Sequence, residues 1–179
     1  MPTTTLKANG HTIELGHADK VLFPDAGLTK ADLADYYQRI AEVMLPHLKG
    51  RPVTMQRFPD GIEAEGFYQK KASDYFPSWI RRVTVEVEGR GENQPQVVCE
   101  NTATLLYLVD QACITPHVWL SRAGALHHPD RLVFDLDPPS EDFEPVRFAA
   151  RRLRDLLEDL GLESSVMTTG SQGDRKSVV

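Results

Sequence analysis

Two aspartates, Asp135 and Asp137, lie close together in the largely apolar stretch RLVFDLDPP. In a β-strand the side chains alternate between faces, so both carboxylates would point the same way, with their Cα atoms roughly 7 Å apart. Pro138 and Pro139 cannot continue a strand ladder, which places the pair at a strand end. Charge is costly to bury without compensation, and hard divalent cations prefer carboxylate oxygens. The stretch therefore predicts a metal-binding pair.

This pair of carboxylates is compatible with more than one chemistry. Two Mg²⁺ or Mn²⁺ ions held there would position a nucleoside triphosphate and a 3′-hydroxyl for in-line displacement. The FDLD sequence also resembles the nucleophile motif of haloacid-dehalogenase-type phosphatases, in which Gly and Thr usually follow. Pro138 and Pro139 stand at those positions here, so the phosphatase is the weaker alternative. A third alternative is a strand end with two solvated acids and no site.

Two helices are predicted before this stretch. The segment LTKADLADYYQRIAEVMLPHL has apolar residues at helical spacing. Thr29 can cap it, with Asp32 three residues further on as in a capping box, and Pro46 is expected to end it. Asn101 is expected to cap a second helix through TATLLYLVDQACI, which Pro116 would end.

A third helix follows the aspartates, beginning near Pro145 and ending at Gly161. Its apolar stripe is expected to enter the core and consists of Val146, Phe148, Ala149, Leu153, Leu156, Leu157 and Leu160. Strand patterns occur in RPVTMQRF, GFYQK, VTVEVEG, HVWLSRA, RLVFDLD and ESSVMTT. Because strands and helices interleave, we predict an α/β domain of mixed α+β character.

Composition limits the class of protein. The chain has 179 residues, of which 41% are hydrophobic and 26% charged, so we expect it to fold. Its net charge of −6 argues against a uniformly basic nucleic-acid-binding surface. Basic residues nevertheless outnumber acidic ones by seven to four within residues 49–82, which allows a local basic face. No apolar run is long enough to span a membrane and no secretory signal is evident, so we expect a cytoplasmic protein. Cys99 and Cys113 have no metal-type spacing and are expected to be reduced and buried.

Several stretches, taken in order, carry a resemblance to a known family. They are HADKVLFPDAGLTKADLADYY, RPVTMQRFPDGIEAEGFYQK, PSW, HVW, PDRLVFDLDPP and TTGSQG. From about Leu15 to Gly173 the chain resembles the primase-polymerase domain of bacterial DNA ligase D, of the archaeo-eukaryotic primase superfamily. The resemblance implies a mixed central sheet flanked by helices.

The same resemblance implies an activity, cofactors and partners. The activity is template-directed nucleotidyl transfer, which extends primers and fills gaps during non-homologous end joining of DNA double-strand breaks. Mn²⁺ or Mg²⁺ would be the cofactor, and nucleoside triphosphates and DNA ends with a 5′-phosphate would be the ligands. Ku and a DNA ligase would be partners, in the bacterial cytoplasm near the nucleoid and without a membrane.

The resemblance also implies roles for residues at the reacting end. Asp135 and Asp137 would be the first two metal ligands, and His117 and Ser171 would contact the triphosphate. Lys20 and Lys30 would bind the 5′-phosphate of a downstream strand, with His17 near a position where the family commonly has Asn. The alternative for Lys20 and Lys30 is that both are ordinary surface lysines. The alternative for His117 is that it stabilises the fold and does not contact the triphosphate.

An aromatic pair, Phe67 and Tyr68, matches family residues that stack on template bases or shape the duplex end. Stacking of this kind is worth roughly 1–3 kcal/mol per base. Arg57 and Lys70 flank the pair, as expected for contacts to the DNA backbone. Because adjacent strand residues face opposite ways, one of the two rings could instead belong to the core.

The family pattern changes after Gly173. There the family continues with Leu-His and a strand, whereas this chain continues with DRKSVV. We therefore expect residues 1–173 to be the N-terminal portion of a primase-polymerase domain. Residues 174–179 are expected to be a non-native tail, because they can be encoded by a stretch that resembles a sequencing-library adapter.

This departure affects the expected activity. The second-motif histidine and a third acidic metal ligand would be absent, so we expect a fold incomplete at its C-terminus and a chain that is itself inactive. A non-catalytic module that binds 5′-phosphate DNA ends is the alternative function.

Overall fold

Interleaved helices and antiparallel strands make up the computed structural model, which describes residues 3–87, 92–138, 142–168 and 176–178. The chain divides into two units, Met1–His128 and Pro129–Val179. The predicted α/β class is confirmed, and every strand pair that the structure describes is antiparallel.

In its described residues the first unit contains two α-helices and a short 3₁₀-helix, Pro24–Ala26, and its strands form two hairpins and a larger sheet. In chain order its elements are β1 (Thr3–Ala8), β2 (His11–Gly16), β3 (Val21–Phe23), β4 (Leu28–Thr29), α1 (Lys30–Leu48), β5 (Pro52–Arg57), β6 (Phe67–Gln69), β7 (Arg82–Val87), β8 (Glu92–Val98), α2 (Thr102–Asp110) and β9 (Cys113–Val118). Strand β1 pairs with β2, and β3 pairs with β4. The larger sheet has the order β6-β5-β8-β7, with β9 also paired to β5.

Helix α1 begins where the sequence predicts. The Thr29 hydroxyl accepts from the Asp32 N–H at 3.3 Å, and the Asp32 carboxylate accepts from the Thr29 N–H at 2.8 Å, which completes the capping box. The predicted end at Pro46 is wrong, because the helix continues to Leu48. A proline removes a single backbone donor, and in the last turn of a helix this loss is small enough for the helical path to continue.

Helix α2 begins at the predicted cap but ends early. The Asn101 side chain accepts from the Thr104 N–H at 2.9 Å. The helix then ends at Asp110, and Ala112 adopts a left-handed φ of 56°. The predicted continuation to Pro116 is wrong, because Cys113–Val118 forms β9 and pairs with β5. Pairing with a central strand therefore overrides the local helical pattern.

The core of the first unit lies between its helices and strands. Helix α1 packs on α2, and α2 packs on β2 and β9. Fully buried apolar side chains include Leu15, Leu22, Val53, Met55, Val97 and Leu106. Cys99 and Cys113 are buried and not disulfide-bonded, as predicted, and burial raises the pKa of each thiol to about 12.

The second unit contains less regular structure among its described residues. Its elements are β10 (Phe134–Leu136), α3 (Glu144–Asp159), β11 (Val166–Thr168) and β12 (Lys176–Val178). The strand order is β10-β12-β11, and α3 packs on β10. The assignment of residues 174–179 to a non-native tail stays a prediction.

The stripe of α3 is only partly buried. Val146 and Leu157 are buried and Leu153 is half-buried, whereas Phe148, Ala149, Leu156 and Leu160 are exposed. The expectation that the whole stripe enters the core is therefore wrong for those four side chains. The elements described in this unit therefore leave several apolar positions of the stripe uncovered.

Candidate nucleic-acid interface and metal site

The turn at residues 17–20 lies against the start of α1. The Lys30 N–H donates to the Lys20 carbonyl at 2.8 Å, and the Ala31 N–H donates to the Ala18 carbonyl at 2.9 Å. These are among the first N–H groups of a helix, which have no partner within the helix itself. Because the turn already uses them, an anion bound here would be held by side chains rather than by the helix N-terminus.

His17 lies at the exposed corner of this turn. Its φ is 53°, and its carbonyl accepts from the Lys20 N–H at 3.0 Å. Among residues other than glycine, Asn, Asp and His are those most often found in this left-handed region. The backbone therefore accepts histidine where the family commonly has Asn.

Lys30 is buried, and its ammonium is surrounded by protein oxygens. Its Nζ donates to the Gly16 carbonyl at 2.8 Å, to the Asp110 carbonyl at 2.5 Å and to the Asp110 carboxylate at 3.1 Å. The same carboxylate accepts from the Gly16 N–H at 2.9 Å. An ammonium has three donors, and all three are used here. Lys30 thus joins the end of β2, the start of α1 and the end of α2.

Lys20 is more accessible than Lys30. Its Nζ forms an ion pair with the Asp60 carboxylate at 2.7 Å, and the two side chains are 39% and 78% exposed. Ion pairs at this exposure are worth about 0–1 kcal/mol. Lys20 can therefore exchange its carboxylate for another anion at little cost.

Phe67 lies at the edge of the five-stranded sheet, opposite Arg57 on β5. The Arg57 guanidinium carbon lies 5.3 Å from the Phe67 ring centroid. Its Nε donates to the Gln111 carbonyl at 2.6 Å, and its Nη1 donates to the Gln69 side-chain oxygen at 2.5 Å. A half-exposed ring under a fixed guanidinium forms a flat surface suited to a nucleobase.

Tyr68 lies on the other face of the same strand. It is opposite Gln56 in the register, and its ring meets the His117 ring edge-on at a centroid distance of 5.4 Å. Tyr68 is 61% exposed and Phe67 47%. The two rings face opposite ways, as expected for neighbours on a strand, but neither belongs to the core. The alternative that one of the two rings belongs to the core is therefore wrong.

His117 is fixed by a side-chain hydrogen bond. Its Nε2 lies 2.9 Å from Gln56 Oε1, an oxygen that can only accept, so Nε2 carries the proton. Burial lowers the pKa of this imidazole below its ordinary value of 6.5. The fold therefore favours the neutral form of the ring.

The paired aspartates lie in the second unit. Asp135 is the middle residue of β10 and Asp137 follows the strand directly. That both carboxylates point the same way stays a prediction. Both side chains are exposed. Two exposed carboxylates with this spacing fit the donor set of a hard divalent cation. Among the described residues, no group of three or more His, Cys, Asp or Glu side chains forms a fuller ligand set.

The predicted site residues thus fall into two groups. The first unit holds His17, Lys20, Lys30, Arg57, Phe67, Tyr68, Lys70 and His117, and the second holds Asp135 and Asp137. Ser171 lies outside the described residues. Lys70 is exposed next to the aromatic pair. The roles of all these residues remain predictions.

Sequence reasoning did not find the partners that hold these groups. Asp110 and Asp60 pair with the two lysines, and Gln56 and Gln69 orient His117 and Arg57. Asp110 lies 80 positions from Lys30 along the chain. Separations of this size leave no periodic signal in a single sequence, so only the folded chain reveals these pairs.

The fold matches that of a polymerase domain of known structure. The polymerase domain from Mycobacterium tuberculosis Ligase D, solved in complex with DNA, superposes with a TM-score of 0.82 at 36% sequence identity. The match covers 93% of this chain and 60% of that one.

Curated relatives agree with the structural match. The multifunctional non-homologous end joining DNA repair protein LigD of Mycobacterium tuberculosis is 39% identical over 176 residues, which is 93% of this chain and 23% of that protein. The bifunctional non-homologous end joining protein LigD of Bacillus subtilis is 35% identical over 156 residues, which is 87% of this chain and 24% of that protein. The chain spans about a quarter of the length of these relatives.

The family model for the LigD primase-polymerase domain matches residues 29–175. The chain therefore belongs to the LigD primase-polymerase domain family. This assignment favours the nucleotidyl-transfer interpretation of the FDLD stretch over the phosphatase alternative. Among the residues that the structure describes, no helix has the length and apolar character needed to cross a bilayer.

Proposed function

We propose that this chain is the DNA-end-binding and metal-binding part of a primase-polymerase that adds nucleotides at gapped or broken DNA ends during non-homologous end joining. The observation that carries the proposal is the match to a polymerase domain solved with DNA, at a TM-score of 0.82 and 36% identity over 93% of this chain. The proposed setting is the bacterial cytoplasm, with Ku and a DNA ligase as partners.

The first unit supplies the contacts to DNA in this proposal. Lys20 and His17 bind the 5′-phosphate of the downstream strand, and Lys30 holds the turn that carries them. Phe67 and Tyr68 present two exposed rings at a sheet edge, where stacking on bases is worth about 1–3 kcal/mol each. Arg57 and Lys70 place positive charge beside those rings for the phosphate backbone.

The second unit supplies the metal ligands. Asp135 and Asp137 would hold Mn²⁺ or Mg²⁺, which when bound lowers the barrier to attack of a 3′-hydroxyl on the triphosphate. The two carboxylates contribute negative charge on and directly after β10, and they would determine where a cation binds. His117 and Ser171 are proposed to orient the triphosphate. His117 would do so through Nδ1, which Gln56 leaves available and which donates to a phosphate oxygen when the ring is protonated.

A non-catalytic end-binding module is the second candidate. The observation that favours it is the division of the chain, since every proposed DNA contact belongs to the first unit and both aspartates belong to the second. A chain of this kind can bind a 5′-phosphorylated end without carrying out the reaction.

Binding and extension on one substrate distinguish the two candidates. The substrate is a gapped duplex with a labelled primer and a downstream strand that carries either a 5′-phosphate or a 5′-hydroxyl. We expect tighter binding to the phosphorylated gap by this chain, without extension, since the chain itself is expected to be inactive. A complete homologous polymerase domain that carries the same site residues should extend the primer, in a reaction that requires nucleoside triphosphates and Mn²⁺ or Mg²⁺. Extension by this chain contradicts the end-binding module, and absence of phosphate-dependent binding contradicts both candidates.

The metal assignment has a separate readout. We expect Asp135→Ala combined with Asp137→Ala to weaken Mn²⁺ binding at least tenfold, measured by electron paramagnetic resonance of unbound Mn²⁺, and to abolish any extension. The matched control is Asp159→Ala combined with Glu163→Ala, which removes two exposed acids from the same unit. If both double variants bind Mn²⁺ equally well, Asp135 and Asp137 are not the metal ligands.

A further inference from the structure

The ion pair between Lys20 and Asp60 occupies the place where an incoming anion would meet Lys20. The two charged atoms lie 2.7 Å apart, and Asp60 is the more exposed partner at 78%. One carboxylate oxygen, Oδ1, makes this contact. A carboxylate and a phosphate monoester present similar oxygens to an ammonium group, so Asp60 is placed as a phosphate would be.

The backbone holds Asp60 at this place. The Ile62 N–H donates to the Leu22 carbonyl at 2.8 Å, which fastens the turn after β5 to β3. Between them, Gly61 has a φ of 98°, and a Cβ at that position would lie 3.3 Å from the Leu22 carbonyl oxygen. Only glycine fits this close approach without strain. Asp60 is therefore held near Lys20 by main-chain contacts that do not depend on its own side chain.

Lys30 cannot take over the role of Lys20 without a larger change. Its three donors are bound to the Gly16 carbonyl, the Asp110 carbonyl and the Asp110 carboxylate. Its side chain is 8% exposed, against 39% for Lys20. Of the two lysines, Lys20 is the one whose ammonium an external phosphate can reach by displacing a single exposed partner.

We propose that Asp60 is a resident counter-ion that a terminal phosphate must displace from Lys20, and that this competition sets the affinity for 5′-phosphorylated ends. The inference rests on the proposed function, in which Lys20 binds that phosphate. Asp60 lowers the affinity for the phosphorylated end because its pair with Lys20 must be broken and its charge repels the phosphate. A 5′-hydroxyl end makes no such exchange.

The energetics make this exchange feasible. An exposed pair contributes little to stability, whereas a terminal phosphate carries about −1.5 to −2 charges near pH 7 and three acceptor oxygens. The phosphate therefore outcompetes a single carboxylate. Removing Asp60 should strengthen binding of the phosphorylated end by about twofold to fivefold, which corresponds to the worth of an exposed pair.

The test compares Asp60→Asn with Glu63→Gln in the 179-residue chain. Both changes remove one exposed negative charge from the same loop, but no described ion pair joins Glu63 to Lys20. Fluorescence anisotropy gives the Kd for gapped DNA with a 5′-phosphate and with a 5′-hydroxyl. The measured quantity is the ratio of the two, which cancels the general attraction of DNA to a less acidic protein.

We expect Asp60→Asn to raise the preference for the 5′-phosphate by about twofold to fivefold, and Glu63→Gln to leave it unchanged. If the wild type prefers the 5′-phosphate and the two variants change that preference equally, the role of Asp60 is wrong and the proposed phosphate pocket stands. If neither the wild type nor Asp60→Asn prefers the 5′-phosphate, both the role of Asp60 and the phosphate pocket are wrong. Thermal melts of the three proteins confirm that the comparison is made between folded chains.

Discussion

The two units differ in how much apolar surface they bury. The first unit closes a core between α1, α2 and its strands, with Leu106, Val53 and Met55 fully buried. In the second unit, Val146 and Leu157 are the buried apolar side chains among its described residues. Phe148 and Leu156 of α3, and Leu160 directly after it, remain more than half exposed. The same chain thus combines a well-packed unit with a sparsely packed one.

This difference matters for the two groups of candidate residues. Lys20, Phe67 and Tyr68 lie on elements that a closed core holds in place, which favours binding because little ordering is needed when DNA arrives. Asp135 and Asp137 lie on or beside a strand of three residues in the sparsely packed unit. We therefore expect DNA binding to be the more robust property and metal binding the more easily lost one.

The largest effect should come from changing one buried and one exposed leucine. Leu106→Ala should lower the free energy of unfolding by about 3–4 kcal/mol, because it removes packed methyl groups and leaves a cavity. Leu156→Ala on α3 should lower it by less than about 1 kcal/mol, since that side chain is already more than half exposed. Urea denaturation followed by circular dichroism measures both.

Equal losses from the two leucine variants would contradict the contrast between the units, because they would show that Leu156 is packed in solution. A large loss of unfolding free energy from Leu156→Ala, with a small loss from Leu106→Ala, would mean that the second unit is the better packed of the two. Val43→Ala on α1, where the side chain is 69% exposed, is the control for an exposed apolar residue in the first unit.

A smaller effect should follow from breaking the buried ion pair of Lys30. Lys30→Met should destabilise the first unit by about 2 kcal/mol, below the 3–5 kcal/mol of fully buried pairs, because Asp110 keeps some solvent contact. Arg39→Met breaks an exposed pair with Asp35 on the same helix and should cost less than about 1 kcal/mol. Thermal unfolding of the two variants at matched pH gives the comparison.

The Lys30 variant also has a functional readout. If Lys30 positions the turn at residues 17–20, its loss should lower the preference for a 5′-phosphate even at temperatures where the protein stays folded. The Arg39 variant should retain that preference. A stable Lys30→Met protein with wild-type discrimination would remove Lys30 from the pocket altogether.

Local signals in the sequence were sufficient for several elements. Thr29 with Asp32, and Asn101, mark helix starts because a cap is formed by residues within one turn of each other. The alternation around Asp135 likewise predicts a short strand, and β10 includes that residue. Interactions between residues a few positions apart can be predicted from a single sequence.

Features that depend on residues distant in the chain could not be predicted from the sequence. The end of α2 and the start of β9 are set by pairing with β5, more than fifty residues earlier in the chain. The burial of Lys30 depends on Asp110, although a lysine on the first turn of a helix reads as a surface residue. The α3 stripe has a regular pattern, but what covers each position depends on the rest of the unit.

The smallest expected effect concerns the pH dependence of the first unit. Partial burial lowers the pKa of His117 below 6.5, so the fold favours the neutral imidazole. The unfolded chain then binds more protons than the folded one between the two pKa values, and stability rises with pH in that window. The contribution of His117 to the free energy of unfolding is complete above pH 6.5, and it is lost as the pH falls through the pKa of His117 in the folded protein. Because the ring lies at the surface, the loss should be small.

His117→Gln should therefore flatten the dependence of the unfolding free energy on pH, measured by urea denaturation at pH about 7.5 and about 5. His127→Gln removes a histidine elsewhere in the same unit and is the control.

Nucleotide binding gives a second test of His117. A triphosphate that contacts His117 favours the imidazolium and raises the pKa of the ring. Following the His117 ring by NMR with and without nucleoside triphosphate would detect that rise. If nucleotide leaves the titration unchanged, His117 stabilises the sheet face with Gln56 and Tyr68 and takes no part in binding the triphosphate.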